Sequence, residues 1–146
     1  FVQIRHNDYD SHYENFNFHH EQLGEFDQPF ATLVSDLSDR GMLNSTLIVV
    51  LSEFGRTPRI NSRYGRDHWG KAWSVCLAGC GIQSGFAYGK MNENGTEVIE
   101  NEVDAGHLFH TYLRALGLKS SGKFEIGGRK YPIADPAFGP IREILS

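Results

Sequence analysis

Apolar positions along this chain fall alternately in short continuous runs and at helical spacing, so strand-like and helix-like segments take turns. Phe1-Val2-Gln3-Ile4 reads as a first strand. A polar, aromatic loop follows from Tyr13 to His20. Leu23, Phe26, Phe30, Leu33, Val34 and Leu37 then recur at three- and four-residue intervals, the spacing of one helix face. Proline is tolerated only in a first turn, so the helix is expected to be best formed from Asp27 to Arg40, with an earlier turn before Pro29 and a stop at Gly41. Thr46 to Leu51 is a continuous apolar run, as expected of a strand buried on both faces in a parallel sheet. Ala72 to Ala78 is the third predicted strand, ending in the glycine-rich turn Gly79 to Gly85. Asp104 precedes a second amphipathic helix, with Leu108, Phe109, Tyr112, Leu113 and Leu116 inward and Gly117 as its stop. Lys123 to Ile126 and Arg129 to Tyr131 flank Gly127-Gly128 and predict a hairpin. Pro140 opens a short final helix through Ile144. The pattern is α/β, and residues 1–146 read as a single domain.

Composition narrows the possibilities. With 40% apolar residues among 146, the chain can build a core. A net charge of −4 argues against general nucleic-acid or membrane-surface binding. No apolar stretch approaches the ~18 residues that a membrane span requires. The opening on Phe1, inside a strand-like run and with no leader, suggests a piece of a longer protein. Cys76 and Cys80, if extended, lie roughly 13 Å apart and should not pair with each other. They are expected to be buried free thiols.

The chemistry-bearing residues gather beside the strand-like runs. Asp10 and His12, two residues apart, share a side if the backbone is extended and could ligate one ion. Asp8 and His12 offer an alternative spacing suited to a turn or a helix. A polar loop with side chain-to-backbone turns is the competing explanation. Glu53 follows a predicted buried strand, where a carboxylate needs either an ion or a cationic partner such as Arg56 or Arg59. Asp67 and His68 could add one or two ligands, or His68 could be oriented by the carboxylate of its neighbour Asp67, or both could lie in a surface loop. Arg56, Arg59, Arg63 and Arg66 make the intervening stretch cationic, and guanidinium suits phosphate or sulfate oxygens. His107 and His110 are expected to be surface or packing residues.

In order, these motifs resemble the sulfatase-like family catalogued as domain of unknown function 1501, within the alkaline phosphatase superfamily. Its Trp-Asp-Thr-His-x-x-Asn-Phe motif corresponds to Tyr9-Asp10-Ser11-His12-Tyr13-Glu14-Asn15-Phe16, and its Glu-Phe-Gly-Arg-Thr-Pro motif to Glu53 through Pro58. Gly-Arg-Asp-His-Trp stands at Gly65 to Trp69, and Leu-x-Gly-Gly-Gly-Ile-x-x-Gly at Leu77 to Gly85, with Ala78 and with Cys80 replacing a glycine.

The resemblance implies the C-terminal portion of an alkaline phosphatase/sulfatase-like sandwich, with a mainly parallel sheet flanked by helices and a small C-terminal hairpin appended. It implies a metal-dependent hydrolase of phosphate or sulfate esters acting on a small anionic substrate. Asp10, His12, Glu53 and His68 would hold a divalent ion, zinc first, with calcium or manganese as alternatives. Asp67 would be an auxiliary or supporting ligand, and Arg56 and Asn15 would contact the anionic group. Phe54 stands where many relatives carry a second histidine ligand, which favours the alternative of a catalytically decayed metal- or ligand-binding module. The nucleophile is expected from an N-terminal half absent here, and the setting is expected to be periplasmic or extracellular.

Overall fold

The computed structural model describes residues 1–146. Its first regular element is a long helix, α1 (Asn15–Asp39). The loop expected at Tyr13 to His20 is therefore mostly helix. The cause lies outside the helix: Glu14 N donates to Arg63 O at 3.2 Å and Asn15 N to Tyr64 O at 3.0 Å. Those bonds supply partners at a terminus whose N–H groups would otherwise be orphaned. Pro29 sits inside α1. The carbonyl that it leaves unpaired, that of Glu25, belongs to an exposed residue, where water can serve it.

Both helix stops fall at the expected glycines. After α1, Gly41 N donates to Ser38 O and Met42 N to Leu37 O. After the second helix, α2 (Ala105–Ala115), Gly117 N donates to Arg114 O and Leu118 N to Leu113 O. Gly41 and Gly117 have φ of 68° and 75°, a left-handed conformation that costs a side-chain-bearing residue about 1–2 kcal/mol.

The strands are short: β1 (Ile48–Val50), β2 (Gly55–Arg56), β3 (His68–Trp69), β4 (Cys76–Ala78), β5 (Lys90–Met91), β6 (Val98–Glu100), β7 (Lys123–Ile126) and β8 (Arg129–Pro132). They pair as β1–β4, β2–β3, β5–β6 and β7–β8, each a two-stranded antiparallel sheet. This overturns the mainly parallel sheet flanked by helices. A parallel pair needs a crossover, usually a helix, but the 51–75 connection from β1 to β4 contains only β2, β3 and loops. The β1 run is half-buried rather than enclosed on both faces, and Leu51 is exposed. Phe1 to Ile4 forms no strand, because no neighbour lies alongside to take its backbone hydrogen bonds; Phe1, Val2 and Ile4 are exposed. The expected hairpin does form, as β7 and β8, with Ile126 opposite Arg129. The final helix is reduced to a 3-10 turn at Arg142–Ile144.

Little apolar side chain is enclosed. The buried hydrophobic residues are Ala72, Ala134, Ile141 and Ile144. The accessible surface is 10882 Å², against roughly 7,500 Å² for a compact monomer of this mass. Cys76 is exposed and Cys80 half-buried, both unpaired, so the expectation of buried thiols fails. On α2 the inward face is partly misread as well. Phe109 and Leu116 are exposed, whereas His110 and Thr111 are buried. His110 Nε2 lies 2.8 Å from Asp135 O, and Thr111 Oγ1 accepts from Ile141 N at 2.9 Å while donating to His107 O at 2.7 Å. These polar ties fasten the C-terminal segment to α2.

Thr111→Val preserves shape but leaves the Ile141 N–H unpaired in a buried place. It should cost about 1–3 kcal/mol of stability, read as a lower urea midpoint at unchanged slope.

Candidate metal centre

The segment carrying Asp10 and His12 is neither strand nor helix. Ser11 N donates to Tyr9 O and His12 N to Asp10 O, both at 2.9 Å, so the chain runs through consecutive tight turns. Asp8 and Glu14, with φ of 69° and 46°, bracket it in left-handed conformations. The alternation expected of an extended segment nonetheless survives. Ser11 is 1% exposed and donates to Asn15 Oδ1 at 2.7 Å, while Asp10 and His12 face outward to either side of it.

A second segment zips onto this one. Arg66 N donates to Ser11 O at 2.9 Å, Asn61 Nδ2 to His12 O at 3.0 Å, and Tyr13 bridges to Tyr64. Gly65 is buried, and a Cβ there would overlap the backbone of His12 and Tyr13. Arg66 closes the loop behind, donating from Nη1 to Thr57 O at 2.6 Å and Pro58 O at 2.7 Å. Just beyond, β3 pairs with β2 so that Arg56 stands opposite His68. Directly opposed residues project to the same face, so the ladder presents both at Asp10.

Asp10, His12 and His68 converge as a group able to hold a metal ion. His12 Nε2 and His68 Nε2 are 3.2 Å apart, and Asp10 Oδ1 lies 3.2 Å from the first and 3.1 Å from the second. Ligand atoms ~2.0–2.1 Å from a tetrahedral zinc lie roughly 3.3–3.4 Å apart, so the triangle fits one face of such a site. The hydrogen-bond inventory points the same way. His12 Nδ1 lies 2.8 Å from Asp67 Oδ1; a carboxylate only accepts, so Nδ1 carries a hydrogen, and in the neutral ring Nε2 then presents its lone pair to the cluster. Without an ion, Asp10 Oδ1 is served by Arg56 Nη2 at 2.7 Å and by His68 Nε2 at 3.1 Å, contacts that a cation at the triangle would replace.

Phe54 packs on the His68 ring with centroids 4.4 Å apart, and the Arg56 guanidinium sits 5.9 Å from the Phe54 ring centre. Arg56 Nη2 donates to Asp10 Oδ1 at 2.7 Å. That hydrogen bond, then the one from His68, holds the Asp10 carboxyl down at about 2. Asp67 is likewise lowered, by His12 first and Asn61 second. Burial, then the charges of Arg56 and Arg66, push His19 below the usual imidazole range; its Nε2 is 3.2 Å from Ser11 Oγ. Beside Asp10 and His12 opens a cleft of about 540 Å³ that Asp8, Tyr13, Phe18 and Arg63 also line, wide enough for a small ester.

The other sequence-derived candidates are placed differently. Glu53 is exposed and stands outside the cluster, and it pairs with neither Arg56 nor Arg59. Glu53 and Phe54 lie in the bend before β2, and of the two it is Phe54 that packs on His68. Asn15 is 5% exposed and faces Ser11 rather than the cleft. Asp67 supports His12 from behind, at 2.8 Å from its Nδ1, and not the neighbouring His68 that the sequence suggested. Arg66 engages backbone carbonyls through Nη1. His107 accepts from Asp104 N at 3.1 Å, at the start of α2. Sequence reasoning missed Asn61, whose Oδ1 accepts from Arg63 N and Gly65 N while its Nδ2 reaches His12 O and Asp67 Oδ1. An asparagine two residues before a backbone N–H in a polar loop is the signature of such a turn.

Gly65→Ala should push the two segments apart. We expect a loss of roughly 1–3 kcal/mol of stability together with weakened divalent-metal binding, read by chemical denaturation and by calorimetric titration. The Asp10 carboxyl, lowered from 3.8 to about 2, supports the fold above the unfolded value, and that support disappears as pH falls through about 2. Carboxyl-carbon NMR should show a midpoint near 2 that climbs toward the ordinary range in Arg56→Gln; an unmoved midpoint would exclude Arg56 as the main cause.

No helix is long and apolar enough to cross a membrane. No curated protein and no solved structure matches the chain. The family model described as protein of unknown function (DUF1501) matches residues 1–145, and the chain with its Asp10–His12–His68 cluster belongs to that family.

Proposed function

We propose that this chain carries the metal-binding part of a metal-dependent hydrolase of phosphate or sulfate esters. The observation that carries the reading is the convergence of Asp10 Oδ1, His12 Nε2 and His68 Nε2 at the edge of an open cleft. Two imidazoles and a carboxylate with room for a further ligand form the donor set of catalytic zinc sites. Calcium, which takes 6–8 oxygen ligands, fits this nitrogen-rich set poorly, leaving zinc first and manganese second. When bound, the ion supplies Lewis acidity toward an ester oxygen and activation of a nucleophile.

The residues around it have separable tasks. Asp67 fixes the His12 tautomer so that Nε2 faces the cluster. Phe54 holds the His68 ring by packing against its face. Arg56 offers a planar guanidinium to an anionic group entering beside Asp10, and Arg63 lines the cleft that Asp10 and His12 border. Asn15 acts on this reading through Ser11, keeping the turn that presents Asp10 and His12.

A second reading is a catalytically decayed metal- or ligand-binding module. Its supporting observation is Phe54, an apolar ring occupying the flank of His68 where a further ligand could have stood.

Elemental analysis after metal is offered should find near-stoichiometric zinc or manganese in the chain. His12→Ala/His68→Ala should lower that affinity by at least ~10-fold. Absence of bound metal from both would sink the metal-centre reading. Metal-dependent release of nitrophenol from nitrophenyl phosphate or sulfate, by a protein containing this chain, supports the hydrolase. Stoichiometric metal with no turnover of either ester supports the decayed module.

A further inference from the structure

Asp10 Oδ1 is contested. Arg56 Nη2 sits 2.7 Å from it, closer than either imidazole nitrogen, and the same oxygen is one corner of the ligand triangle. Arg56 is held there from several sides: by pairing opposite His68, by Nη1 donating to Arg66 O at 3.4 Å, and by the Phe54 ring. Its side chain is only 19% exposed, so it has little freedom to withdraw into water.

We propose that Arg56 couples metal binding to oxyanion binding, so that the two ligands bind this site synergistically. The inference rests on the metal-centre reading above and concerns how that site is regulated. Without an ion, the guanidinium satisfies Asp10. A divalent cation arriving at the triangle takes over Asp10 Oδ1 and confronts a fixed positive charge beside it. Arg56 therefore opposes the bare ion. The same event releases the Nη2 N–H from the carboxylate. An oxyanion with two free oxygens can then reach the cation with one and Arg56 with the other, turning repulsion into attraction on both sides. Linkage requires the effect to be reciprocal: the anion tightens the metal as much as the metal tightens the anion. Arg66 is turned to another task, its Nη1 donating to the Thr57 and Pro58 carbonyls, and no contact joins it to Asp10.

The test is calorimetric titration of the chain with zinc, in millimolar inorganic sulfate and in chloride at matched ionic strength. Wild type should bind zinc about 5- to 150-fold more tightly with sulfate, the usual range of such couplings. Arg56→Gln should bind zinc in chloride at least as tightly as wild type, and sulfate should then make no difference. Arg56→Lys, which keeps the charge but loses the planar fork, should retain part of the effect and serves if the glutamine variant misfolds. Zinc binding by wild type that is indifferent to sulfate overturns the coupling and leaves the metal centre standing. A sulfate effect that persists in Arg56→Gln overturns it too, as does weaker zinc binding by that variant in chloride. Wild type that binds no zinc overturns both readings together.

Discussion

The contact between the backbone of Gly65 and that of His12 is the constraint on which the site depends. Residues 10 to 12 form no regular element, and holding an irregular segment in one conformation costs about 1–2 kcal/mol per residue in backbone entropy. Here the offset does not come from an apolar core, since the enclosed hydrophobic residues are few and small. It comes from hydrogen bonds that a side chain at residue 65 would prevent: Arg66 N to Ser11 O, Asn61 Nδ2 to His12 O, and Asn15 N to Tyr64 O. The last of these also fixes where α1 begins, so a single close approach sets both the helix start and the ligand positions.

Within that frame, like residues take unlike roles because their partners differ. Asp10 and Asp67 both touch His12, yet Asp67 meets Nδ1 and sets the tautomer while Asp10 meets Nε2 and shares the ligand corner. The arginines divide in the same way. Arg66 is turned into a backbone clamp, Arg59 and Arg63 keep or partly keep contact with solvent, and Arg56 alone is aimed at a ligand atom. The cationic character of the 56–66 stretch thus overstates the charge available to an incoming anion.

How much of this was legible in the sequence varied with the range of the signal. Helix stops at Gly41 and Gly117 and the β7–β8 hairpin were readable because each rests on a few adjacent residues. Asp10, His12 and His68 were readable as candidates by residue type, order and resemblance, although the 55 or more residues between them carry no record of which atoms meet. Three expectations failed for non-local reasons. Phe1 to Ile4 has strand composition but no neighbour, α1 starts early because a distant segment accepts its first N–H bonds, and β1 pairs antiparallel because its connection to β4 lacks a crossover helix. Glu53 reads as a ligand from its place after an apolar run, whereas the structure leaves it exposed in a bend outside the Asp10–His12–His68 cluster.

The mistaken sheet does not carry the ligands away with it, and the reason is mechanical. Ligands gathered at the carboxyl ends of parallel strands would depend on sheet order, so losing the sheet would scatter them. In this chain Asp10 and His12 are presented by turns, His68 by a two-residue ladder with β2, and the pieces are joined by Asn61, Arg66 and Gly65. The bonds that tie the C-terminal segment to α2 through Thr111 and His110 involve none of these residues. Stability of the helix–tail region and geometry of the metal centre are therefore separable properties. A loop-built centre of this kind can keep its ligand spacing on a lightly packed scaffold, because its restraints are directional hydrogen bonds acting over short stretches rather than burial summed over a large core.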